Sequence, residues 1–526
     1  MNKRTESILH KISRDRVKGF LRAEGKTIVN GDGEEILLIG WGLGNWLLPE
    51  GYMWKFYGDR YNRPRTIENL VRELCGSRYA KEFWQKFHEN YITREDIRVM
   101  AEAGFNSLRL PVNWRMVMED EPGIHFIEEG FSLIDKCLDW CEEFGLYVVL
   151  DLHGAPGGQT GHNIDDSIDD MARLFTDADS REKCLALWAE FARRYRDRWI
   201  VGAYDLLNEP VRSNKPNLPD ISFCKPLLEE FYDECIRTVR AIDDRHMLQI
   251  EGYNWSSNPA MFTRRFDDNM CIHFHRYWCN PRLEVYRGFL NVSENLDQPL
   301  YLGETGENRS DWYASMYPLA LDLNIGYNIW PWKKMDCTNS PYSIKKPAGW
   351  DGVIAYTRRG DRPSYEEAQR IFDEYLENIK IENCVHNPEV NASVLRTPGC
   401  TLRGHHFDEL PGEGISFGGV SEVFYEGTDS ETPGRRDAWA DKFLRMPAGS
   451  FADYTFYAMA DDSALVLSLS APEGVTLRIT RGERELFCGA VEGDSLTVSL
   501  GGAAPADTVR IACTEGTCDL YRIEYR

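Results

Sequence analysis

The sequence predicts a (β/α)8 barrel followed by a β-sandwich, and three observations predict it. Eight apolar, β-rich runs alternate with amphipathic stretches, the pattern of a parallel sheet covered by crossover helices. Two of the runs break into loops at a glutamate, in Leu206-Leu207-Asn208-Glu209-Pro210 and Leu302-Gly303-Glu304-Thr305-Gly306, and a closed barrel brings such distant strand ends to one rim. From about Val385 helical periodicity vanishes and short alternating runs are punctuated by Gly, Pro and Asp, as in a sandwich. The expected domains are residues 1–384 and 385–526.

In order, the expected barrel strands are residues 36–41, 107–110, 147–152, 203–207, 247–250, 270–274, 300–302 and 326–330. Between them, residues 131–144, 180–195, 227–242 and 312–323 carry apolar side chains at helical spacing, as in Leu185, Trp188, Phe191 and Tyr195. Arg362-Pro363-Ser364-Tyr365 opens a last helix running through Glu377. Residues 465–469, 475–479 and 496–500 read as sandwich strands, and 519–525 as the closing one. Trp439, Tyr454, Phe456 and Tyr457 are candidates for a sugar-binding platform there, although Tyr454 and Phe456 alternate like core residues.

The composition bounds the partners. A net charge of −23 lacks the basic surface that nucleic acid or an anionic membrane needs, and no apolar run is long enough to span a bilayer. The amino-terminal stretch lacks the apolar centre of a secretory signal, and fourteen cysteines show neither a CxxC pair nor Cys/His ligand spacing. The expectation is a cytoplasmic protein with reduced thiols, no cofactor and no metal. Cys137 and Cys141 read as core residues; a disulfide between Cys513 and Cys518 is left open.

The chemistry is expected at the carboxyl ends of the strands. Cleaving a glycosidic bond takes an acid to protonate the leaving oxygen and a carboxylate to meet the positive charge at the anomeric carbon. Glu209 and Glu304 can supply both, and the Asn208 amide is placed to hold a sugar hydroxyl. Arg109, pointing into the barrel, needs a carboxylate partner, and Glu304 is the natural one. His153 and His275 can bond sugar hydroxyls, Tyr277 can donate to the nucleophile, and Trp330 can lie against a pyranose.

These residues carry a resemblance. The chain from about Lys18 to Ile379 resembles glycoside hydrolase family 5, a family of retaining (β/α)8 barrels, and is most similar to its exo-β-glucanase branch. The likeness lies in Gly42-Leu43-Gly44-Asn45-Trp46-Leu47-Leu48-Pro49-Glu50 and in Asp151-Leu152-His153-Gly154-Ala155-Pro156-Gly157-Gly158-Gln159. It continues through Asn208-Glu209-Pro210, His275 and Tyr277, Gly303-Glu304 and Trp330-Pro331-Trp332-Lys333. The resemblance implies Glu209 as acid/base and Glu304 as nucleophile, with Arg109, His153, Asn208, His275, Tyr277 and Trp330 around the reacting sugar. It also implies that Glu50 grips the non-reducing end, which favours exo action on a β-linked oligosaccharide or glycoside. Gln159-Thr160-Gly161-His162-Asn163-Ile164 departs from the branch, without its aromatic clamp and hydroxyl-binding aspartate. The sugar therefore stays open, with a β-mannosidase or an endo-β-glucanase as rival enzymes and a catalytically silent carbohydrate-binding protein as the non-enzyme rival. The carboxy-terminal region resembles the β-sandwich of carbohydrate-binding modules by pattern.

Overall fold

The computed structural model describes residues 3–409, 416–425, 437–491 and 493–526. Eight parallel strands close into a barrel: β1 (Ile39–Gly42), β2 (Ser107–Asn113), β3 (Tyr147–Gly154), β4 (Val201–Asp205), β5 (Met247–Glu251), β6 (Met270–Arg276), β7 (Leu300–Gly306) and β8 (Gly326–Trp330). Closure is made where Tyr327, Asn328 and Ile329 of β8 pair with Ile39, Gly40 and Trp41 of β1. The strands are buried almost throughout, which is why they read as continuous apolar runs.

The helices outside the sheet include α1 (Pro64–Tyr91), α2 (Arg94–Glu102), α3 (Glu128–Phe144), α4 (Ala178–Tyr195), α5 (Cys224–Arg240), α6 (Arg287–Leu296), α7 (Ser310–Asp322) and α8 (Tyr365–Asn378). Local chemistry sets several of their ends. Asp177 caps α4 by accepting from the Ser180 N–H, and Ser364 caps α8 by accepting from that of Glu367. Gly145, at φ 73°, ends α3 in the left-handed conformation that glycine adopts without strain.

The structure moves several expected boundaries. β1 begins at Ile39 because the Ile36 N–H bonds to Ile28 and that of Leu37 to Lys11, which ties residues 36 and 37 to the amino-terminal segment. β4 ends at Asp205, so Glu209 stands in the loop beyond the strand, while β7 runs on through Glu304 to Gly306. α1 was not read from the sequence, since Gly76 breaks its helical geometry and its inward face is a cluster of Phe83, Phe87 and Tyr91 around Trp54. Between β5 and β6 there is one helical turn, Tyr253–Ser256, followed by a 3-10 turn.

Val385–His386 still pairs with Tyr342–Ile344, and sandwich strands begin at Thr401. One antiparallel sheet runs Ser421–Phe424, Lys442–Pro447, Thr517–Tyr525, Ala464–Ala471, Gly493–Ser499, with Thr401–Arg403 also beside Thr517–Tyr525. The other runs Phe417–Gly418, Ser450–Met459, Ala504–Glu515, Thr476–Arg481, Arg484–Ala490. Leu465, Leu467, Leu477, Ile479, Ile511 and Ile523 fill the space between. Trp439, Tyr454, Phe456 and Tyr457 are all buried, so they do not form an exposed sugar platform; alternation put Tyr454 and Phe456 in the core.

The two parts are joined through α7. Arg403 donates to Asp311 at 2.8 Å, Arg396 donates to the Ala314 carbonyl and, at 2.7 Å, to Asp408, and Ala314 belongs to the sandwich core. The cysteines are free thiols, Cys513 and Cys518 included. Among the described residues no helix is long and apolar enough to cross a membrane.

Candidate active site

A cavity of about 580 Å³ opens at the carboxyl ends of the strands. Of the nine residues singled out in the sequence, eight line it: Glu50, His153, Asn208, Glu209, His275, Tyr277, Glu304 and Trp330. Arg109 lies beneath, fully buried, and reaches the cavity through Glu304 and Asn208.

Glu209 and Glu304 face each other, with one carboxylate oxygen of each within 4.8 Å of the other. Their surroundings differ. Arg109 Nη1 donates to Glu304 Oε2 at 2.7 Å and the Tyr277 hydroxyl donates to Oε1 at 2.8 Å, so both oxygens of Glu304 are held as acceptors. Burial pushes the Glu209 carboxyl well above the ordinary carboxylate range, helped by the negative charges of Glu304, Glu251 and Glu50 and opposed by Arg109. Glu209 also takes a positive φ of 45°, held by its N–H bonding to Glu251 Oε2 at 2.7 Å and its carbonyl accepting from the Thr160 hydroxyl.

Asn208 is fixed from two sides. Its Oδ1 accepts from Arg109 at 2.9 Å, and its Nδ2 lies 3.2 Å from His153 Nε2. His153 Nδ1 is 2.7 Å from Asp151, and burial, with Arg109, lowers its pKa to about 4, so the ring is neutral near pH 7. The neutral ring stacks parallel to Trp330, with centroids 5.2 Å apart. Gly42 and Gly44 explain the glycines of the opening motif, because a Cβ at either would come within 2.6 Å of the Trp330 ring. The Trp330 indole N–H donates to the hydroxyl of Tyr52, which also lines the cavity.

Glu50 is buried and lines the cavity, and among the described residues its Oε1 has no hydrogen-bond partner. Burial, then Glu304 and Glu307, push its carboxyl well above the usual range.

Four residues below the cavity were missed by sequence reading: Asp151, Asp205, Glu251 and His273. Asp151, Asp205 and Glu251 lie 3.1, 2.9 and 3.0 Å from Arg109 Nη2 and Glu304 lies 2.7 Å from Nη1, so the one guanidinium meets four carboxylates. One guanidinium cannot neutralise four acids. Burial pushes Asp151 well above its usual range and Glu251 up to about 8, whereas at Asp205 the pull of His273 and Arg109 outweighs burial and holds the pKa down. The available signal was the buried arginine itself, which calls for more charge than one glutamate. Donor atoms of Glu251, His273 and His275 lie within 4.8 Å of one another, but a metal cation there would face Arg109, whose Nη2 already holds Glu251 Oε1 at 3.0 Å.

Comparison with known proteins gives the family. Residues 73–336, half of the chain, match the model of the family described as cellulase (glycosyl hydrolase family 5). A β-xylosidase of Phanerodontia chrysosporium is 30% identical over 243 residues, covering 46% of this chain but 48% of that protein, so the chain spans about half of its length. Endoglucanase C of Acetivibrio thermocellus is 27% identical over 316 residues, covering 48% of this chain and 88% of that protein. The structure of Thermotoga maritima Cel5A with cellobiose is similar at 18% identity and a TM-score of 0.41, covering 61% of this chain and 97% of that one. On the family match, the chain belongs to glycosyl hydrolase family 5.

Proposed function

We propose that the protein is a retaining β-glycosidase that removes one sugar at a time from the non-reducing end of short β-linked oligosaccharides or glycosides, with Glu209 as acid/base and Glu304 as nucleophile. The observation that carries this reading is the separation of the two carboxyls. Retention needs them about 5–5.5 Å apart, whereas inversion needs roughly 6.5–9.5 Å to fit a water. Oxygens within 4.8 Å of one another suit direct attack.

The reaction follows from the two environments. Glu304, held by Arg109 and Tyr277, attacks the anomeric carbon and forms a glycosyl ester while Glu209 gives its proton to the leaving oxygen. Glu209, now a carboxylate, then takes a proton from water as that water attacks the same carbon. Two inversions give net retention. NMR of the first-formed product should therefore show the β-anomer before mutarotation; an α-anomer would overturn the mechanism.

Exo action rests on Glu50, a buried carboxyl among the residues lining the cavity, taken to hold the terminal sugar on the side away from the leaving group. Losing one buried hydrogen bond of this kind costs about 1–3 kcal/mol, so Glu50→Ala should lower kcat/KM roughly 5- to 150-fold with the anomer unchanged. Early products from a β-glucan should be monosaccharide. Mixed internal fragments would instead favour an endo-glucanase, the activity in the name of one relative, while the name β-xylosidase makes xylosides part of the panel beside glucosides and mannosides. Free thiols throughout suit a reducing compartment, and we place the reaction in the cytosol.

A further inference from the structure

We propose that the leaving-group side of the cavity is built for an apolar aglycone held against Trp255 and Trp278, so that alkyl and aryl β-glycosides are better substrates than a disaccharide of the same sugar. This rests on Glu209 being the acid/base, because the acid stands beside the leaving oxygen and so marks that side.

Two pieces of chain are tied to the segment just past Glu209. The loop after β3 joins it where the Val211 N–H donates to the Gln159 carbonyl at 3.0 Å and that of Arg212 to the Thr160 carbonyl at 3.2 Å. The turn Tyr253–Ser256 after β5 joins it where the Asn254 N–H donates to the Val211 carbonyl at 2.9 Å. These pieces bring Ile164 and Trp255 to the cavity, and Trp278 comes to it from the loop after β6. Arg276, at the end of β6, donates to the Ser257 carbonyl at 2.9 Å and so fastens that loop to the same turn.

The lining here differs from that around the reacting sugar. Glu50, His153, Asn208 and His275 are buried polar side chains, whereas Ile164, Trp255 and Trp278 offer apolar surface, and Trp278 is 42% exposed. Polar groups beside the indoles are engaged among themselves: Lys215 Nζ lies 3.2 Å from His162 Nε2 and 5.0 Å from the centre of the Trp255 ring, and the Ser257 hydroxyl donates to the Asn254 carbonyl at 2.6 Å. A sugar in this place would meet Asn254 and Lys215, neither of them buried, while an apolar group would cover the indoles and gain the burial. A second observation concerns the backbone. Trp255 and Trp278 both have a φ of 54°, and Asn254 and Ser256 beside Trp255 have 56° and 54°. Side chains with a Cβ avoid this left-handed region, so the fold holds both indoles in place against a local preference.

Octanol and methanol are leaving groups of similar acidity, so octyl and methyl β-glycosides of the best-cleaved sugar differ mainly in apolar surface. Below the micelle concentration, kcat/KM should be about 50-fold higher for the octyl glycoside, as when about three methylenes leave water. The disaccharide should be cleaved less well than the octyl glycoside, although a sugar hydroxyl is the more acidic leaving group. In Trp255→Ala and in Trp278→Ala the octyl-to-methyl ratio should fall by about fivefold or more, and a ratio taken within one protein cancels any general loss of activity. A wild-type ratio below about threefold, a ratio unmoved in both variants, or a preference for the disaccharide would overturn the proposal. Binding gives a second reading that needs no turnover. Among the octyl 1-thio-β-glycosides of glucose, mannose and xylose, which resist hydrolysis, at least one should bind about 50-fold more tightly than its methyl counterpart by calorimetry. Equal affinities in every pair would sink the idea. A wild type that showed the binding preference but cleaved no β-glycoside would keep the apolar subsite and fail the glycosidase reading separately.

Discussion

Glu304→Gln should abolish turnover of every substrate, by on the order of 10⁴-fold or more, because no carboxylate remains to form the glycosyl ester. Leaving-group chemistry should not soften the loss, since a better leaving group still needs a partner at the anomeric carbon. The amide keeps the size of the side chain and can still accept from Tyr277 or Arg109, so thermal unfolding should show an intact fold. Substrate should still bind, and a shift in that variant's melting temperature with a disaccharide would separate lost chemistry from a lost site. Substantial residual turnover of a dinitrophenyl glycoside would move the nucleophile elsewhere.

Glu209→Ala should behave differently. Glycosides with poor leaving groups should lose about 10²- to 10⁴-fold, the usual worth of a placed proton donor. A dinitrophenyl glycoside should still form the intermediate, then stall, because no base remains to activate water. Azide, which needs no base and fits the space left by the side chain, should restore turnover and yield the β-glycosyl azide. The pH profile carries its own sign. Burial and neighbouring charges raise the Glu209 pKa, so wild-type activity on a poor leaving group falls as pH rises through that value, and the variant should lose this limb. Identical behaviour of the two glutamate variants on activated and natural substrates would mean the roles are misassigned.

Much of this site was readable because its cavity-lining residues stand where strand-like runs break, and breaks are visible in a sequence. Glu209, Glu304, His153, His275, Tyr277 and Trp330 all lie at or just past strand ends. Asp205 and Glu251 also end their strands and His273 lies within β6, but none of them lines the cavity, and their meaning comes from partners across the closed barrel, Arg109 for the two acids and Asp205 for His273, a relation set by tertiary structure. The long helix from Pro64 was hidden for a local reason, Gly76 interrupting its period. The aromatic residues of the sandwich show the limit of composition, since exposure rather than residue type separates a binding platform from a core.

The junction at α7 bears on anyone wishing to shorten this enzyme. Cutting the chain after residue 384 would leave Asp311 without the Arg403 that meets it at 2.8 Å, and would bare the face of α7 around Ala314. That helix follows directly on the strand and loop carrying Glu304 and Glu307, so the damage would be inherited by the reacting end of the barrel. A minimal version would keep Arg309 as the partner of Asp311 but would have to redesign the outer surface of α7, replacing Ala314 with a polar residue, before activity of the isolated barrel could be judged.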